Sequence, residues 1–218
     1  MDKPASDTEL TAIVIALEPD EVMAARARAA NAMLRAGYPA GFPLDGGHPP
    51  HISIYAGFVF TADLPKVYAA TGAVLANEPY TSWRLTAFGY HYIPLSPSPT
   101  GLAGILIQPT LGLIRMQQDM IDAAGPYTRK TATAAAFHTT AAEPDIHPAV
   151  IEYVTSFADH TGKNFNPHVS VGVGTKSFLD ALLAEPFDGF TFSPASASVY
   201  QIGDYGAARR ELKALPTA

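Results

Sequence analysis

A mixed α and β fold built from two similar halves is what the sequence predicts, on three observations. Short apolar, β-branched runs alternate with longer stretches of helical period. The order strand, helix, loop, H-x-S strand, helix and strand occurs once before residue 93 and again after residue 101. A histidine and a serine stand at the same place in both units, after proline and among apolar residues: Pro50-His51-Ile52-Ser53-Ile54 and Pro167-His168-Val169-Ser170-Val171.

Taken in order, residues 11–17 (TAIVIAL) read as a buried strand. Asp20 is placed to cap a helix that turns Val22, Met23, Ala30, Met33 and Leu34 inward and Arg26, Arg28 and Arg35 outward, ending at Gly37. Residues 38–50 are dense in glycine and proline and form a loop, which leads into the His51 strand, running to about Phe60. Asp63 is expected to cap the next helix, where Leu64, Val67, Tyr68, Thr71, Val74 and Leu75 keep helical spacing. Strands at 81–93 and 102–108 flank a Pro/Ser turn, and Thr110 caps a helix to about Ala124.

Residues 126–147 show no period and read as a long loop or lid, a kind of segment that often carries function. Pro148 starts a helix with an apolar stripe of Val150, Ile151, Val154, Phe157 and Ala158. The His168 strand follows, then a helix near 175–184, strands near 188–193 and 196–203, and a tail with Arg209, Arg210 and Lys213. The whole reads as a single domain over 1–218, with the element repeat at about 11–93 and 102–203 and an insertion at about 126–160.

Hydrophobic residues make up 48% of the 218 and charged residues 16%, a composition that excludes disorder and suits a compact core. With no cysteine, disulfides, thiolate nucleophiles and cysteine zinc sites are excluded. A net charge of −6 lacks the basic footprint of a protein that grips long nucleic acid. Any phosphate-bearing ligand is therefore expected to be small or held by one end. No apolar run approaches membrane-spanning length, and the opening Met1 to Leu10 is polar, without a signal-peptide core. A soluble monomer without membrane contact is expected, cytoplasmic unless it is the mature form of an exported protein.

Strand side chains alternate between faces, so His51 and Ser53 share one face and His168 and Ser170 share another. A lone H-x-S is commonplace, but two copies at equivalent places describe a two-walled site. Imidazole titrates near pH 6.5, so one histidine can be a base while the other stays protonated as an acid. In-line displacement at phosphorus needs both roles, and serine hydroxyls can donate to the non-bridging oxygens. This chemistry requires no metal and no cofactor. Tyr55 keeps the parity of His51 and Ser53, which points it to the same groove. It is a candidate to stack on or hydrogen-bond a base, or else a half-buried strand tyrosine.

The pair HISI and HVSV resembles the two H-Φ-[S/T]-Φ signatures of the 2H phosphoesterase superfamily, which includes 2′-5′ RNA ligase-like proteins and 2′,3′-cyclic phosphodiesterases. Phe165-Asn166-Pro167-His168-Val169-Ser170 is especially similar to its second motif. The resemblance implies a bilobal, pseudo-symmetric α+β fold with two antiparallel sheets flanked by helices and a groove between the lobes. It implies His51 and His168 as the acid–base pair, Ser53 and Ser170 as phosphate ligands, and a 2′,3′-cyclic nucleotide or RNA terminus as substrate. The two histidines lie 117 residues apart (168 − 51), and residues 126–147 with the helix after them account for a longer spacing than the short RNA ligase-like members have. The alternatives are 2′-5′ RNA ligation at the same site and a module that binds cyclic nucleotides or RNA ends without turnover.

Other signals are weaker. His48-Pro49-Pro50-His51 has metal-ligand residue types, but prolines forbid a helical H-x-x-H and no partner carboxylate is evident. Gly172 to Ser177 fails the spacing of a phosphate loop, although Lys176 could favour an anion. His91, His138, His147 and His160 have no matched partners and are expected at the surface or in satisfied core positions, with His138 singled out for lying in the unassigned segment.

Overall fold

The computed structural model describes residues 9–217; Met1 to Thr8, most of the polar opening stretch, and Ala218 lie outside the described residues. Its strands are β1 (Leu10–Pro19), β2 (Ile52–Phe60), β3 (Leu85–Pro94), β4 (Thr100–Ile107), β5 (Thr128–Arg129), β6 (His168–Thr175), β7 (Phe190–Phe192), β8 (Pro194–Ile202) and β9 (Ala208–Ala214). Its helices are α1 (Glu21–Gly37), α2 (Leu64–Leu75), α3 (Leu111–Ala124), α4 (Pro148–Ser156) and α5 (Lys176–Ala184). The architecture is α+β.

All strand pairs are antiparallel, in the order β7-β3-β4-β6-β2-β1-β8-β9, with the short β5 added on β2. The path is two four-stranded sheets joined at their middle by one residue pair, Ile52 opposite Val169. The H-x-S strands β2 and β6 are thus the inner edges of the two halves. Each pairs next with the first strand of its own repeat, β1 or β4. Those in turn pair with strands from the end of the other repeat: β1 with β8, and β4 with β3.

Both inner strands carry a β-bulge at the same place. Ile15 faces Tyr55 and Ala16 faces Ser53, leaving Ile54 as the extra residue. Ala103 faces Gly172 and Gly104 faces Ser170, leaving Val171 as the extra residue. A bulge bends its strand and re-aims the side chains beyond it. Gly172 adopts φ +134°, a conformation that costs glycine little and other residues much.

The main core lies on the face covered by α1, α2, α3 and α5, where Met23, Leu34, Val67, Met116, Met120 and Leu179 meet Ile13, Ile15, Ile52, Ile54, Val169 and Val171. A second cluster on the other face joins Ala12, Val14, Ala16, Ala56 and Phe58 to Val150, Val154 and Phe157. The insertion therefore covers the β1–β2 half from the side opposite the four helices.

Some local expectations are corrected. Asp20 does cap α1, accepting from the Val22 and Met23 amides at 3.1 and 3.4 Å. Val22 and Met33, expected inward, are 51% and 41% exposed, because the buried stripe of α1 is narrower and runs through Met23, Ala27, Ala30, Asn31 and Leu34. Asp63 makes no side-chain cap; it ends a short 3-10 turn and pairs with Lys66 at 2.7 Å. The basic tail, given no element from the sequence, forms an edge strand, β9. Within residues 126–147, β5 pairs with Phe58 and Val59, and Ala136 and Phe137 are buried, so much of the segment is packed.

Candidate active site

The Ile52–Val169 pair sets the geometry of the site. It brings β2 beside β6 at that point, and His51, Ser53, His168 and Ser170 line a common space. Ser53 pairs with Ala16, on the face away from the main core.

Each histidine is held in the same way. The His51 Nδ1–H donates to the Pro49 carbonyl at 3.0 Å, and the His168 Nδ1–H donates to the Asn166 carbonyl at 2.8 Å. In both cases the acceptor is two residues upstream, in the segment turned by Pro50 or Pro167. A carbonyl can only accept, so the proton of each neutral ring sits on Nδ1 and Nε2 is left bare. Burial pushes both pKa values below the ordinary histidine value, against the opposing pull of those carbonyl hydrogen bonds. His51 is lowered further by the charge of a protonated His168, with Glu18 acting weakly the other way.

Both histidines and both serines line one cavity of about 160 Å³, together with Ile93, Leu95, Leu102, His147, Ala149, Val150, Tyr153, Tyr205 and Gly206. A second chamber of about 210 Å³ shares Ser53, Ile93, Tyr153 and His168 with it and extends past Gln117, Phe157, His160, Asn164, Phe165 and Asn166. Among the described residues no lysine or arginine lines either chamber. No group of three or more His, Cys, Asp or Glu among them is arranged to hold a metal ion.

Tyr55 does not reach the cavity. The Ile54 bulge reverses the strand's parity just before it, so Tyr55 falls with Ile15 on the main-core face, 1% exposed. Its hydroxyl hydrogen-bonds Thr128, and Gly57 makes room for the ring. The tyrosine that does line the cavity is Tyr153 on α4, beside the Ser53 hydroxyl, its pKa pushed up to about 12 by burial. Val150, Tyr153, Val154 and Phe157 keep i, i+3, i+4, i+7 spacing, so the helical stripe read from the sequence contained the signal that would have found it.

His91 is not a surface residue either. It lies on β3 opposite Gly104, its ring centroid 4.6 Å from that of His168 in an edge arrangement. Its Nε2 is buried without a partner, and burial, then the neighbouring His168, push its pKa down to about 4. Gly104 is required there, since a Cβ would meet His91 Nε2 at 2.7 Å. His147 lines the first chamber and His160 the second, whereas His138 lines neither.

The loop before His51 is anchored from the insertion. His48 Nε2 lies 3.2 Å from Glu143 Oε1, Arg209 donates to His48 Nδ1 at 3.0 Å, and Arg209 pairs with Glu143 at 2.7 Å. Both ring nitrogens of His48 are therefore engaged. Lys176 is paired with Asp180 at 2.6 Å and offers no free cation for an anion.

No protein-family model matches the sequence, and no curated protein matches it. Solved structures are similar in fold. TT0787 of Thermus thermophilus superposes with a TM-score of 0.53 at 13% identity, over 94% of this chain and 97% of that one. Escherichia coli LigT complexed with 3′-AMP gives 0.49 at 14% identity, over 96% and 100%. Kluyveromyces marxianus Usb1 gives 0.46 at 11%, over 89% and 95%. Of these three only the first exceeds 0.5, and at such identity the likeness is one of fold. At that level the α+β fold expected from the paired motifs holds.

Proposed function

We propose that the protein is a phosphodiesterase that opens 2′,3′-cyclic phosphates on nucleotides or RNA ends without a metal ion. The observation that carries this is the pair of bare Nε2 atoms, on His51 and His168, each fixed by an upstream carbonyl and both lining one cavity with Ser53 and Ser170. One neutral imidazole takes the proton of an attacking water as the new P–O bond forms. The other, protonated, gives its proton to the ribose oxygen whose bond to phosphorus breaks. Ser53 and Ser170 donate to the non-bridging oxygens, where charge builds. The histidines exchange roles between the forward and reverse directions, so the geometry serves either assignment.

The size of the cavity and its lack of lysine or arginine favour a small ligand or a single RNA terminus over a long strand. Among the described residues no helix is long and apolar enough to cross a membrane. The test is a panel of the four 2′,3′-cyclic mononucleotides and short RNAs with cyclic ends, assayed with a chelator present. Ring-opened monophosphate from at least one substrate is expected. Binding without any product would instead favour a sensor, and joining of end-labelled RNA would favour ligation.

A further inference from the structure

His147 is the cap residue of α4: its Nδ1 accepts from the Ala149 amide at 3.2 Å, and its own amide donates to Asp204 Oδ1 at 2.9 Å. An imidazole nitrogen that accepts a backbone N–H carries no proton, so the neutral ring is protonated on Nε2. This is the reverse of His51 and His168, which are protonated on Nδ1 and bare at Nε2. Their three side chains line the same cavity. Two of them present acceptors to it, and His147 presents a donor.

We propose that His147 is a ligand-binding residue whose Nε2–H donates to a non-bridging oxygen of a bound phosphate. The assignment rests on reading this cavity as a phosphate site. An anion here has no lysine or arginine to meet among the described lining residues, so neutral donors and imidazoles must carry its recognition. The fixed tautomer makes the donor ready before the ligand arrives, because turning the ring would break the cap of α4. The same helix carries Tyr153 to Ser53, so the insertion contributes two polar groups to a site that also holds the four of the repeated motifs.

The test separates the cap from the donor. His147→Asn keeps a side-chain cap, since asparagine is among the best, but is too short to extend a donor into the cavity. His147→Ala removes both. The melting temperature is expected to fall for His147→Ala and to stay near the parent's for His147→Asn. Both variants are expected to weaken calorimetric binding of adenosine 3′-phosphate about tenfold, the loss of one hydrogen bond to a charged group, and to raise KM for a cyclic substrate more than they lower kcat. If His147→Asn restores melting temperature, binding and KM together, the residue is only a cap and the assignment is overturned. That outcome with a parent that still hydrolyses cyclic phosphates leaves the proposed function intact. A parent that binds the nucleotide but turns over no cyclic phosphate overturns the proposed function instead, and the binding comparison still decides His147. A parent that binds no phosphate at all overturns both.

Discussion

Ile54 and Val171 occupy the same place in the two halves: each is the extra residue of a β-bulge immediately after the motif serine. The bulges close the cavity-facing side of each strand after two polar side chains. Beyond Ser53, parity reverses and the strand returns to packing, with Ala56 and Phe58 on the site face and Tyr55 on the other. A site of two short walls follows, bounded by backbone geometry and covered by the insertion.

The second bulge depends on Gly172. At φ +134° a side chain is strained, and a Cβ would stand 2.8 Å from Asn31 Nδ2. Gly172→Ala is expected to destabilise by more than about 1 kcal/mol, lowering the melting temperature by roughly 2–4 °C or more. Thermal melts read this directly; an unchanged midpoint would show that the bulge relaxes at no cost.

Asn31 ties α1 to β6 and to the loop that leads into β2. Its Nδ2 donates to the Phe42 and Val171 carbonyls, each at 2.9 Å, and its Oδ1 accepts from the Leu44 amide at 3.0 Å. Asn31→Leu leaves three buried backbone groups unpaired at about 1–3 kcal/mol each. A loss of about 3 kcal/mol or more in a urea titration is expected. A loss under about 1 kcal/mol would mean that water replaces all three bonds.

Burial lowers the pKa values of His51, His168 and His91, the last to about 4. The unfolded chain, titrating near pH 6.5, then binds more protons than the native one between the folded pKa values and 6.5. Stability therefore rises with pH through that window and flattens above it. Each histidine contributes at most about 1.4 kcal/mol per pH unit. Urea midpoints between pH 4 and 7 should show this slope, and it should shrink in His91→Leu. A flat profile in the parent would contradict the burial of neutral imidazoles.

Tyr153 stands beside Ser53 in the cavity. Tyr153→Phe keeps the ring packed on Phe157, whose centroid is 5.5 Å away. Stability should change little, while kcat/KM on a cyclic phosphate should fall about 3–10-fold through the lost hydroxyl. Parental kinetics would remove Tyr153 from the site.

The sequence carried the elements and the two walls because period, caps and the H-x-S repeat are local signals. Pro50 and Pro167 marked where each wall begins, and the alternation of His51 with Ser53 placed them on one face. The bulge is not legible in the sequence, since an extra residue in a strand is defined by its partner, and simple alternation puts Tyr55 on the face of His51. His91 and His147 were passed over for a related reason. His91 reaches His168 and His147 reaches the cavity from a strand and a helix far away in sequence, through the pairing of β3 with β4 and the docking of α4.

In the proposed reaction His51 and His168 are the two proton-transfer groups. Steady-state hydrolysis of 2′,3′-cyclic mononucleotides in chelator by His51→Ala and His168→Ala, each shown by circular dichroism to be folded, tests it most directly. Each variant should lose about 10²-fold or more of kcat, and the parent should show a bell-shaped pH profile. Either variant folded and turning over at the parental rate would contradict the account.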